Sequence, residues 1–211
     1  MDLFAEIADE RRGVADLVAE LTEEQLQTQS LCSGWDVRSV AAHLLMPLVT
    51  PTPKFVIAMA RAGMNFNKAN MQLTASVAAR PTEQLVAGLR DHAGSRFTPP
   101  GLGPEAPLTD VLVHGQDIRR PLGIERTFPP DRIRVVLDFL VTPAATRGLV
   151  PKGVVDGVAL SATDLDWSAG SGAQVSGPAE AIMLSLTGRT VALADLSGPG
   201  AQVLSGRFAQ R

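Results

Sequence analysis

Apolar residues Leu3, Phe4, Ile7, Val14, Leu17, Val18 and Leu21 recur along one helical face at the start of the chain. A chain written in this period buries stripes instead of pleated faces, so its fold begins as helices laid side by side. The period continues well beyond the first helix. Thr22-Glu23-Glu24-Gln25 has the form of a capping box, in which the threonine and glutamine side chains each satisfy an orphan amide. Asp36 is placed as the N-cap of a helix through Val37, Val40, Ala41, Leu44 and Leu45, and this helix carries His43. Pro47 removes the hydrogen bond that the carbonyl of residue 43 expects, which predicts a kink or an end close to that histidine.

Residues 54 to 79 read as one long helical stretch with a polar cluster of Asn65, Asn67 and Asn70, and Pro81 opens a further helix that runs to Ala93. The proline- and glycine-rich segment 98–107 separates it from residues 107–122. There Val111-Leu112-Val113 would suit a strand, but Leu108, Leu112, Gly115, Ile118 and Leu122 keep helical spacing, and the spacing decides for helix. Residues 130–141 give another helical pattern. After residues 142–153 the texture changes to short apolar runs broken by Gly, Ser and Asp, as in strands and turns. Pro178, Glu180 and the stop at Gly188 then mark a well-bounded helix. The expected fold is therefore mainly α: a helical bundle over residues 1–145, followed by a small α+β unit over 154–211. About sixty residues make a marginal domain alone, so this unit is expected to pack on the bundle.

Composition excludes several classes of function. The formal net charge is −3, and the basic residues are scattered instead of striped, so no nucleic-acid partner is expected. The amino terminus is acidic and amphipathic, unlike a secretory signal, and no apolar run approaches the roughly twenty residues that span a bilayer. A cytoplasmic protein without a membrane partner is the expectation. The single cysteine, Cys32, precludes an internal disulfide and fits a reducing compartment.

Asp110 and His114 are four residues apart, so on a helix their side chains rise from one face with β-carbons roughly 5–6 Å apart. His43, from a second helix, would complete a set of two imidazoles and one carboxylate. That set suits zinc or another first-row divalent ion and leaves coordination positions open. Spacing by itself leaves two ordinary roles open: His43 as a core histidine bonded to a backbone carbonyl, and Asp110 as an early-helix carboxylate favoured by the helix dipole. Cys32 is separated from His43 by about 16 Å of helix and turn, and is expected to be a small buried residue that shares no metal with it. His92, near a helix end, is assigned no role, and the three asparagines are placed on the surface.

The segments "LCSGWDVRSVAAHLL", "RPTEQLVAGL", "DVLVHGQDIRRPLG" and "SGPAEAIMLSLTGR" resemble, in this order and nearly end to end, the successive blocks of the mycothiol-dependent maleylpyruvate isomerase family. That family lies within the DinB superfamily of metal-binding four-helix bundles. The resemblance implies a DinB-like bundle holding a divalent metal, usually zinc, on His43, Asp110 and His114. The chain departs from the family's pattern in having aspartate at 110 where glutamate is usual, which withdraws the carboxylate by about 1.5 Å. Asp117 matches the family's second acidic position. It reads either as the partner that orients a ligand imidazole or as one half of a salt bridge to Arg38, Arg119 or Arg120. Trp35 and Arg38 also fit the block, as packing and a local ion pair. Arg189 matches a Gly-Arg of the family's C-terminal unit, where it would hold a polar substrate or tie the two parts together.

The chemistry that follows from such a centre is thiol activation, because coordination to a divalent cation deprotonates a thiol at neutral pH. The resemblance supplies mycothiol as the thiol co-substrate and an electrophilic small molecule as its target, in a reaction of transferase or isomerase type. No general base is assigned. Two other classes compete: a hydrolase using metal-bound hydroxide, and a non-catalytic binding scaffold that has lost the metal.

Overall fold

The computed structural model describes residues 1–209. α1 (Leu3–Glu20) is opened by Asp2, whose carboxylate accepts the Phe4 amide, and it buries Ile7, Val14 and Val18 as the apolar period requires. In α2 (Glu23–Leu26) both bonds of the capping box form, at 3.0 and 3.2 Å. α3 (Val37–Val49) is opened by Asp36, which accepts the Ser39 amide at 2.7 Å, and it ends two residues beyond Pro47. The helix thus runs through Pro47 and ends within two turns of His43, where Thr50 precedes Pro51.

The stretch expected as one helix over 54–79 is two, α4 (Thr52–Arg61) and α5 (Phe66–Ala78). Gly63 and Met64 take left-handed φ values of 66° and 62°, and Asn65 accepts the Lys68 amide as the N-cap of α5. A glycine followed by a capping asparagine makes a local stop and start that the apolar period cannot override. α6 (Thr82–Asp91) and α7 (Glu105–Arg119) follow, and α7 resolves the ambiguous valine run as helix.

The chain divides into two compact units, one of residues 1–99 with 110–126 and one of residues 100–109 with 127–211. In the first, α1 packs on α6, and α3 packs on α5 and α6. The contact of α3 with α6 depends on Gly88, where an added β-carbon would stand 2.8 Å from Cδ2 of the buried Leu45. Arg11, also buried, donates to the carbonyls of Ala93 and Ser95 just beyond α6, at 3.1 and 2.7 Å.

The second unit contains α8 (Pro130–Leu140) and a sheet of β1 (Val158–Ala162), β2 (Ser168–Gly170) and β3 (Ala173–Gly177) in the order β2-β1-β3. β1 pairs antiparallel with β2 and parallel with β3, which sets Leu160 beside Val175. α9 (Ala179–Leu186) packs on α8 and stops at Gly188, whose φ is 87°. α10 (Pro199–Ala209) covers β3. The boundary at residue 127 falls ahead of the change in composition because α8 matches its apolar face to α9. The architecture is mainly α with a small α+β unit toward the C-terminus, and among the described residues no single helix is long and apolar enough to cross a membrane.

Candidate functional site

Three pieces of the first unit converge. α3 brings His43, α7 brings Asp110, His114 and Asp117, and the turn before α3 brings Cys32 and Trp35. The turn is pinned by backbone bonds: the Ser30 amide donates to the Trp35 carbonyl at 3.1 Å, and the Leu31 amide donates to the Asp117 carbonyl on α7 at 3.3 Å. Gly34, at φ 78°, allows the chain to fold back there.

Folding back places Cys32 where its sequence separation from His43 did not suggest. Its Sγ donates to Asp117 Oδ2 at 3.1 Å and lies 3.8 Å from His114 Nδ1, half-buried beside the cluster. The expectation of a small buried residue remote from the site is corrected. It gave residues 32–43 a continuous helical rise, whereas helix begins only at Val37 and the preceding turn doubles back toward α7.

His114 is engaged on both ring nitrogens. Nδ1 lies 2.7 Å from Oδ2 of the fully buried Asp117, an ordinary hydrogen-bond length. Nε2 lies 3.4 Å from Asp110 Oδ1, and His43 Nε2 lies 3.8 Å from the same oxygen. The ligand atoms of His43, Asp110 and His114 all fall within 4.8 Å of one another. Tetrahedral ligands at about 2.0–2.1 Å from a cation stand about 3.3 Å apart. The Nε2 side of His114 thus has the spacing of a cation site, and the Nδ1 side has the spacing of a hydrogen-bond network. Cys32, His114 and Asp117 also lie within 4.8 Å of one another, but their short contacts mark bonded partners already in place. Although Asp110 is one methylene shorter than glutamate, its carboxylate reaches both imidazoles.

The two histidines are held differently. His43 Nδ1 is buried with no hydrogen-bond partner. Its ring instead packs against Trp35, with centroids 4.8 Å apart and a tilt of 41°, and against the edge of His114, also at 4.8 Å. Trp35, itself half-buried, is therefore a wall of the site, a role that the sequence alone did not signal. Among the arginines weighed as partners for Asp117, Arg38 donates to the Arg80 carbonyl and Thr82, and Arg119 donates to the Gly115 carbonyl. His92 sits exposed at the end of α6 with Nδ1 3.0 Å from the Gly88 carbonyl, and the Arg189 guanidinium bonds the Thr187 carbonyl at 2.7 Å.

Electrostatics couple the cluster. Burial by itself would depress the pKa of His114, but the charge of Asp110 and hydrogen bonds with Asp110, Asp117 and Cys32 outweigh it and hold the imidazole well above its ordinary value. Burial likewise opposes ionisation of Asp110, and the charge and hydrogen bond of His114, with those of His43, override it and keep the carboxyl below the usual range. Buried acceptors of this kind need a cation, whether a proton or a metal. Asp110 keeps 33% of its side-chain surface exposed, against 11% for His114, so solvent reaches the cluster at the carboxylate.

Residues 7–97 match the family described as the mycothiol maleylpyruvate isomerase N-terminal domain. Two crystal structures of a mycothiol-dependent maleylpyruvate isomerase, one of a histidine-to-alanine mutant, superpose on 95% of this chain and 97% of their own. The mutant gives 18% identity and a TM-score of 0.52, the other structure 16% and 0.50. At these identities the likeness is one of fold. No curated protein matches the sequence. Residues 7–97 thus resemble the mycothiol maleylpyruvate isomerase N-terminal domain, and the chain is similar in fold to a mycothiol-dependent maleylpyruvate isomerase.

Proposed function

We propose that the chain is a metal-dependent thiol enzyme of transferase or isomerase type that uses mycothiol against an electrophilic small molecule. His43, Asp110 and His114 would hold a divalent cation, and two imidazoles with one carboxylate favour zinc. The observation that carries the reading is the asymmetry around His114: hydrogen-bond lengths on Nδ1, and 3.4 Å to Asp110 on Nε2, with His43 3.8 Å from the same oxygen. When bound, such a cation would keep a coordinated thiol as thiolate at neutral pH.

The chain's own residues set up that chemistry. Asp117 fixes the orientation of His114 by accepting the hydrogen bond from Nδ1–H, so that loss of the Nε2 proton bares a lone pair on the side of Asp110 and His43. Trp35 holds the His43 ring and shields that side of the cluster, so an incoming thiol approaches past Asp110. In the reaction proposed, the thiol sulfur forms a bond to an electrophilic carbon while the electron pair of the attacked double bond moves to its acceptor group. Return of the proton released by the thiol to the resulting carbanion, with the C–S bond retained, gives a transferase. Elimination of the thiol after rotation about the former double bond gives an isomerase. A cytoplasmic setting belongs to the same reading, supported by the single cysteine, which fits a reducing compartment.

Elemental analysis of the wild type beside His114→Ala, both purified without chelators, tests the centre. The wild type is expected to carry close to one equivalent of divalent metal and the variant to lose most of it while remaining folded. A metal-free wild type would support a binding scaffold instead. Cobalt substitution then distinguishes the chemistries: adding a thiol should produce an intense sulfur-to-metal charge-transfer band, and a spectrum indifferent to thiol would favour hydroxide and a hydrolase.

A further inference from the structure

The segment from residue 37 to 82 contains Arg38, Lys54, Arg61, Lys68 and Arg80 and no aspartate or glutamate, in a chain of net charge −3. At its centre stands the α4–α5 hairpin, on which Lys54, Arg61 and Lys68 are all exposed. α4 buries none of its residues and packs mainly on α5. Val56 is 58% exposed, Ile57 51%, Phe66 58% and Met71 54%, and Met64, in the left-handed turn at the tip, is 72% exposed. On α4 the outward arc runs through Val56, Ala60 and Ile57, with Lys54 and Arg61 seven residues apart along its border. Apolar side chains this exposed and this concentrated mark a surface that meets something other than water.

We propose that the α4–α5 hairpin docks on an anionic lipid bilayer, with Val56, Ile57, Met64 and Phe66 in the outer acyl region and the three cations at the headgroups. A second copy paired about a two-fold axis would set three cations against the same three, which works against that occupant. Protein interfaces are depleted in lysine at their cores, whereas lysine stems lie along apolar surface and carry their charge to headgroups. The exclusion of every carboxylate over the whole segment, and a tip that offers a methionine instead of a concave pocket, fit a planar negative surface. That no single described helix is long and apolar enough to span a bilayer does not bear on this, because lying in the interface needs only an apolar face bordered by cations.

Co-sedimentation of the full chain with phosphatidylcholine vesicles, with and without phosphatidylglycerol, tests the proposal. Partitioning is expected on the anionic vesicles, at least about tenfold above the neutral ones and reduced by salt, since each cation near such a surface contributes about fivefold. Lys54→Glu with Arg61→Glu should bring binding down to the neutral level. Ile57→Glu with Met64→Glu should do the same while keeping every cation, and both pairs are exposed, so circular dichroism should be unchanged. Absence of binding to anionic vesicles at low salt would overturn the proposal, as would undiminished binding by the Ile57→Glu, Met64→Glu variant. Equally strong binding to soluble polyglutamate would point to an acidic protein instead, and a dimer in sedimentation velocity that this variant abolishes would make the face a contact between copies.

Discussion

Asp117 decides more at the scale of single residues than its place among the helix's charges suggested. Its Oδ2 accepts from both His114 Nδ1 and Cys32 Sγ, at 2.7 and 3.1 Å, and it is fully buried. Partners of this kind orient the ligand ring and raise its basicity, and losing one costs about ten- to a hundredfold in metal affinity. Asp117→Asn is therefore expected to weaken metal binding by that factor in a chelator-competition titration, with the total capacity still near one equivalent. Affinity within twofold of the wild type would show that Asp117 does not orient His114. That Asp110 and His114 share one face of α7 was legible because a helix fixes i and i+4 together, whereas the nearness of His43, on α3, was expected only from the resemblance. The place of Cys32 was not legible, because it depends on a turn whose backbone is bonded to α7 across 86 residues of sequence.

For the elements, local signals sufficed wherever one residue settles a helix end. Asp36 and Thr22 cap as their side chains dictate, and Gly188 stops α9. The break between α4 and α5 was hidden because the apolar period runs through it, while the stop lies in three consecutive residues, Gly63, Met64 and Asn65. Packing between elements makes its own demand at Gly88. Alanine there would gain about 1 kcal/mol in helix propensity. Its β-carbon would press on Leu45 at 2.8 Å, and overpacking of this kind costs about 1–3 kcal/mol. Gly88→Ala is expected to lower stability by about 1 kcal/mol in urea unfolding. An unchanged or raised midpoint would mean that Leu45 moves aside at no cost and that the close approach of α6 to α3 does not depend on glycine.

On the scale of the whole molecule, the cluster links stability and metal binding to pH with opposite signs. The folded metal-free chain holds the His114 pKa above its unfolded value, which is near 6.5. The resulting stabilisation is complete below about pH 6.5 and is lost as pH rises through the folded value. A metal needs the same nitrogen without its proton, so apparent metal affinity should rise with pH, by about tenfold per unit while one proton is displaced. Titrations between pH 6 and 8 on the chelator-treated chain check both slopes. Metal affinity that stays flat across this range would remove His114 from the ligand set. The sequence by itself determined the helical class, the caps, and the change to strands after the bundle, because each depends on residues within a turn or two of one another. Only the tertiary structure decided which side of His114 faces acceptors spaced for a cation, that Cys32 and Trp35 border the cluster, and that α4 keeps an apolar face uncovered. Those outcomes depend on which helix meets which, and distance along the chain does not encode that.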